Sequence, residues 1–92
     1  MIIYAEVEIF LYECHSLKNK RSVLKRLQNR LTKDLNIAIS ELDFQDLWQR
    51  SKLGIVTISE SSDIGEKIIQ QACKIIDSFT ELERTITHVE IR

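Results

Sequence analysis

Cys14 and His15 stand side by side, and a thiol beside an imidazole is the start of a nucleophile–base pair or of a zinc site. Spacing argues against both. Neighbours in an extended strand point to opposite sides, and Cys14, His15, Cys73 and His88 lack the paired short spacings of structural zinc sites. The expectation is a small core thiol next to a polar loop residue. Asp43 and Asp46, with Glu41 close by, are carboxylates of the kind that converge on Mg²⁺. Solvated turns account for such acids equally well, so a metal-dependent enzyme stands only as the third alternative. No glycine-rich phosphate loop, G-x-S-x-G or H-E-x-x-H run occurs. The chain is therefore expected to hold no catalytic residue, no metal and no cofactor.

The strongest pattern is electrostatic. Lys18, Lys20, Arg21, Lys25, Arg26, Arg30 and Lys33 follow one another with no acid among them, while all 14 acids lie elsewhere and the net charge is -1. A near-neutral total disfavours indiscriminate coating of polyanions, yet one basic patch on an acidic body still addresses phosphate. On a helix, Arg21 with Lys25 and Arg26 with Arg30 repel at i, i+4 spacing by roughly a few tenths of a kcal/mol each unless an anion offsets them. The run is expected to contact phosphate.

The sole tryptophan lies in Asp46-Leu47-Trp48-Gln49-Arg50. Trp48 is expected to anchor this loop over the sheet edge with its indole N–H bonded locally, leaving Gln49 and Arg50 to present polar groups outward.

The elements that must position these residues are legible from periodicity. Residues 2–12 alternate, with Ile3, Ala5, Val7, Ile9 and Leu11 on one side and Tyr4, Glu6, Glu8, Phe10 and Tyr12 on the other, which predicts a strand. Val23, Leu24, Leu27, Leu31 and Leu35 recur at three- and four-residue steps, predicting a helix that Ser16 caps. Around it, only Lys20 among the cations projects into the apolar arc. Residues 36–42 and 53–59 predict two strands joined by a long connection, the second covered on both faces because it is almost continuously apolar. Residues 63–79 predict a second helix, with Ile64, Ile68, Ala72, Ile75, Ile76 and Phe79 on one face and Asp63 with Glu66 at capping-box spacing. Residues 85–91 predict a last strand.

The order β-α-β-β-α-β is that of the ferredoxin-like α+β fold, a four-stranded antiparallel sheet with two helices on one face. Right-handed crossovers place the first and third strands centrally. The uncovered face then displays Tyr4, Glu6, Glu8, Phe10 and Tyr12. RNA-recognition motifs stack bases on such a face, but Glu6 and Glu8 repel phosphate there and the third strand offers no aromatic. Tyr4, Phe10 and Tyr12 are expected to form a protein contact, with a homodimer as the first choice.

Composition sets the frame. With 92 residues, 43% hydrophobic and 29% charged, residues 1–92 are expected to form a single domain around one core. Two unpaired cysteines fit a reducing compartment. No apolar run reaches membrane-spanning length, and no cation follows Met1 before Lys18, so a cytoplasmic protein without a membrane role is expected.

The runs His15-Ser16-Leu17-Lys18-Asn19-Lys20-Arg21-Ser22-Val23-Leu24-Lys25, Ser40-Glu41-Leu42-Asp43-Phe44-Gln45-Asp46-Leu47-Trp48-Gln49-Arg50 and Ile76-Asp77-Ser78-Phe79-Thr80-Glu81-Leu82-Glu83-Arg84-Thr85 closely resemble the YlxP-like family, a bacterial domain of unknown function. The resemblance covers nearly the whole chain and implies a ferredoxin-like fold. It also implies a small cytoplasmic protein whose gene neighbourhood, among translation-initiation and ribosome-maturation genes, hints at RNA or ribosome association. Its motifs single out His15, Lys18, Lys20, Arg21, Asp46, Trp48, Gln49 and Arg50 without an established catalytic role. Asn19 replaces a frequent Glu of relatives, and Phe44 replaces a frequent His.

Together these expectations describe a non-enzymatic accessory factor that docks on structured, ribosomal RNA or a ribosomal subunit. Its contacts are expected from His15, Lys18, Lys20, Arg21, Lys25, Arg26, Arg30, Gln49 and Arg50. A homodimeric module using the open sheet face, without nucleic-acid binding, is the alternative.

Overall fold

Alternation in the first strand, β1 (Ile2–Leu11), sets the architecture: Ile3, Ala5, Val7, Ile9 and Leu11 are all buried, and every other residue between them looks to the opposite side. A computed structural model describes residues 1–92. After β1 come α1 (Leu17–Asp34), β2 (Ala38–Asp43), β3 (Arg50–Ile58), α2 (Ser62–Asp77) and β4 (Leu82–Ile91). The strands form one antiparallel sheet in the order β2-β3-β1-β4, so β1 and β3 are central. This is the ferredoxin-like arrangement expected from the element order.

Both helices are capped by serine. Ser16 Oγ accepts the Asn19 N–H at 3.0 Å, and Ser61 Oγ accepts the Ile64 N–H at 3.3 Å. The cap of α2 is thus Ser61, not the Asp63–Glu66 box, because the chain turns into the helix two residues earlier than its charges suggest. Val23, Leu24, Leu27 and Leu31 of α1 and Ile69, Ala72 and Ile76 of α2 close over β1, Leu53 and Ile55 in a core of 16 residues. The buried stripe of α2 runs through Gly65, Ile69, Ala72 and Ile76, leaving Ile64 exposed and Ile68, Ile75 and Phe79 half-buried. Close approach to β1 explains the stripe: a Cβ on Gly65 would overlap Ile3 Cγ1 and lie 2.9 Å from Ser59 Oγ.

β3 corrects a second expectation. Its continuous apolarity does not reflect cover on both faces, since Ile58 is 66% exposed and Val56 half-buried, both on the side away from the helices. Gly54 on that side is buried instead under the Leu42 side chain of β2. No helix is long and apolar enough to cross a membrane.

Candidate functional site

α1 divides its cations into three kinds. Lys18, Arg21, Lys25 and Lys33 are exposed and make no ion pair. At 100° per residue they lie within a stripe about 120° wide and, at 1.5 Å rise, roughly 22 Å long. Arg26 pairs with Glu81 at the start of β4, and Arg30 with Asp34 one turn on at 2.7 Å. Both pairs are solvent-exposed, so each contributes little and leaves the guanidinium available to a stronger anion. The run is therefore less unneutralised than its composition suggests, because folding brings Glu81 alongside it.

Lys20 is the third kind and corrects its assignment to the RNA surface. It is 1% exposed, and its Nζ donates to the Phe44 carbonyl at 2.6 Å and lies 2.9 Å from Glu41 Oε2. Ser51 Oγ donates to the same Glu41 oxygen at 2.7 Å. Its place in the apolar arc of α1 points it at the β2–β3 connection, where an ammonium survives burial only because these acceptors receive it.

That connection, residues 44–49, turns on Phe44, the one non-glycine residue with positive φ, at 65°. This backbone region is costly for an aromatic residue, and neighbouring contacts hold it there. Asp43 Oδ1 accepts the Phe44 N–H at 2.7 Å, Lys20 binds the carbonyl, and the Arg50 guanidinium sits 3.9 Å above the ring centroid. Arg50 also donates to Glu8 Oε1 at 3.1 Å, and Gln49 Nε2 donates to the Tyr12 carbonyl at 3.0 Å. Arg50 is exposed, as expected, while also tying the loop to β1, and half-buried Gln49 ties it to the connection that carries His15. His15 itself is exposed and forms no hydrogen bond.

Trp48 reverses its expected role. It is 50% exposed and its indole N–H donates to no group of the chain, so it does not anchor the loop. The Lys20, Gln49 and Arg50 contacts perform that task. Phe10, Asp46, Leu47, Trp48, Gln49 and Arg50 line an open concavity of about 450 Å³.

The open sheet face is more polar than expected. Glu8 pairs with Arg50, Glu6 with Lys52 at 3.7 Å, and Glu90 with Arg92 while hydrogen-bonding to His88, so charged pairs line it. Tyr4 donates to Glu6 and lies under Arg92, Tyr12 donates to Glu83, and Phe10 meets Tyr12 edge-on at 5.1 Å. Both phenols are pushed above the ordinary tyrosine range, Tyr4 first by burial and then by its bond to Glu6, Tyr12 first by its bond to Glu83. A second apolar cluster is Ile2, Leu42 and Ile58, exposed around half-buried Val56, which strand alternation in β3 could have disclosed.

Cys14 is a buried thiol and Cys73 a half-buried one, and burial pushes both above the ordinary cysteine range, the opposite of an activated nucleophile. Glu41 faces Lys20, Asp43 accepts a backbone N–H and Asp46 is exposed without a partner, so these acids do not gather into a group able to hold a metal.

Residues 2–89 match the family described as "Protein of unknown function (DUF503)". The chain belongs to the DUF503 family. A relative of this DUF503 chain is the "Uncharacterized protein YlxP" of Bacillus subtilis (strain 168), 48% identical over 90 residues and 98% of each chain. Among solved structures, the DUF503 fold resembles a de novo designed protein with a ferredoxin fold, determined by solution NMR, with TM-score 0.61 and 14% identity over 100% of this chain and 87% of that one. It also resembles the designed protein Foldit4, with TM-score 0.60 and 11% identity over 100% and 99%. At such identities the likeness concerns the fold alone.

Proposed function

We propose that this protein is a non-enzymatic cytoplasmic factor that docks on structured RNA, such as that of a ribosomal subunit, through the solvent face of α1. One observation carries this: Lys18, Arg21, Lys25 and Lys33 form an unpaired cationic stripe on a chain whose net charge is -1. Arg26 and Arg30 flank the stripe in exposed ion pairs that phosphate can displace. Free cysteines are in keeping with the cytoplasm.

Neutralising about four phosphates should make the binding constant fall by about two orders of magnitude between about 50 and about 200 mM salt. Co-sedimentation of the purified protein with ribosomal subunits across that series measures it. The variant Lys18→Glu, Arg21→Glu, Lys25→Glu should lose binding while keeping its fold, because all three side chains are exposed. Binding indifferent to salt, or retained by this variant, would overturn the assignment to α1.

A second function, compatible with the first, is self-association through the open sheet face. The exposed side chains of Ile2, Leu42 and Ile58 around half-buried Val56 favour it.

A further inference from the structure

The Trp48 loop is fixed in its backbone and unsatisfied in its side chains. Lys20 and the Leu47 N–H both donate to the Phe44 carbonyl, Gln49 Nε2 donates to the Tyr12 carbonyl, and the Leu11 N–H donates to the Gln49 carbonyl at 2.9 Å. On this frame Trp48 and Leu47 keep about half of their surface in water, and neither the Trp48 indole N–H nor the Asp46 carboxylate bonds to the chain. A loop free to rearrange would bury an indole. The bonds at its two ends prevent that and hold Trp48 as the wall of a concavity of about 450 Å³, large enough for a nucleobase.

The same contacts set this concavity at the end of the molecule where the cationic stripe begins. Lys20 draws the first turns of α1, with Lys18, against the loop, and the Gln49–Tyr12 bond brings in the connection bearing His15. Cations for phosphate, an aromatic plate and a free carboxylate thus meet at one end. This combination is that of single-strand recognition, in which a basic surface tracks the backbone and an aromatic ring takes an unstacked base.

We propose that the concavity receives an unstacked guanine of RNA, with its plane on the Trp48 indole and its N1–H and N2–H donating to the Asp46 carboxylate. The assignment deepens the docking through α1 and rests on it. Guanine is the base whose Watson–Crick edge offers two adjacent donors to the two acceptors of a carboxylate. Adenine and cytosine set an acceptor nitrogen beside their amino group, and uracil sets its N–H between two carbonyls, so each brings a lone pair against Asp46. Stacking serves every base alike. Trp48 therefore supplies affinity and Asp46 supplies the choice of base. A cationic side chain of a protein would also suit an indole and a carboxylate, but Arg50 already occupies one wall.

Because Trp48 is the sole tryptophan, its fluorescence reports on this site directly. The protein is titrated with a short single-stranded uridine-rich oligoribonucleotide carrying one guanosine, with the same strand carrying adenosine, and with free guanosine monophosphate. Saturable quenching that is tighter for the guanosine strand is expected. Trp48→Ala should weaken that strand by roughly five- to a hundred-fold without changing the salt dependence. Asp46→Asn should abolish the preference for guanosine while leaving binding of the adenosine strand intact. Salt-dependent RNA binding that Lys18→Glu, Arg21→Glu, Lys25→Glu abolishes, yet that neither quenches Trp48 nor responds to Trp48→Ala, would overturn the base site and leave α1 docking standing. Absence of any RNA binding would remove both. Guanosine monophosphate binding as tightly as the strand, or quenching by an arginine-containing peptide alone, would equally overturn the assignment to RNA.

Discussion

Removing the Lys20 ammonium would leave Glu41 without its counter-charge, with only the Ser51 hydroxyl donating to it, and the Phe44 carbonyl with only the Leu47 N–H, in a place that water barely reaches. Breaking a buried pair from one side costs about 3–5 kcal/mol, and the partial exposure of Glu41 lowers that figure. Lys20→Ala should therefore destabilise the fold by about 2–4 kcal/mol in urea denaturation, whereas Lys18→Ala should change it by less than about 0.5 kcal/mol. Equal stability of the two variants would show that the Phe44 corner does not depend on Lys20. The contrast is invisible in composition, where the two lysines differ by two positions in one basic run. Helical phase separates them: Lys20 lies on the arc of Leu24, Leu27 and Leu31, and Lys18 lies outside it. Phase disclosed the direction in which Lys20 points, but not the acceptors waiting there, since Glu41 and Phe44 come from the hairpin.

At the scale of elements, the packing of α2 on β1 depends on a missing methyl. Alanine is intrinsically the better helix former by about 1 kcal/mol, so Gly65→Ala would stabilise an isolated α2. In the protein its Cβ would overlap Ile3, which is fully buried and has nowhere to go. Overpacking should prevail, and Gly65→Ala should lower stability by about 1–3 kcal/mol in thermal or urea unfolding. An unchanged or raised stability would mean that helix and strand are not in close contact. Gly54 provides the comparison. The three atoms nearest its added Cβ all belong to the Leu42 side chain, the closest at 2.7 Å, and Leu42 is 44% exposed and free to swing aside. The helices and strands were legible as elements because their periods of 3.6 and 2 are local properties. The true cap and buried stripe of α2 were not, because Ile64, Ile68 and Ile75 satisfy helical spacing as well as the residues that β1 selects.

Across the whole molecule, charge and apolar surface are segregated. Cations line α1 on the helical side, ion pairs line the open sheet face, and Ile2, Leu42, Val56 and Ile58 run from the middle of β3 to its end on that face. Pairing through this cluster would leave α1 of both copies facing outward, so self-association and RNA docking would not compete. If the cluster is an interface, sedimentation at micromolar concentration should give a dimer that Ile58→Glu converts to monomer. Ile58 is exposed enough for the variant to fold. A wild-type monomer under those conditions would leave the cluster without a self-association role. Phe10 and Tyr12, the aromatic residues first expected at such an interface, are also exposed, while contacting each other and Glu83.

The sequence alone determined the element order, the serine cap of α1 and the basic face of that helix, because each depends on neighbours within about one or two turns of chain, and the central position of β1 followed from that order through the handedness of crossovers. Tertiary structure alone decided which charged and aromatic groups remain available. It buried Lys20 against Phe44 and Glu41, tied Gln49 to Tyr12 and the still-exposed Arg50 to Glu8, offered Glu81 to Arg26, and left Trp48 and Asp46 unbonded at the surface. Whether a polar side chain is free depends largely on acceptors that arrive from 21 to 55 positions away in the chain, and no local pattern encodes them.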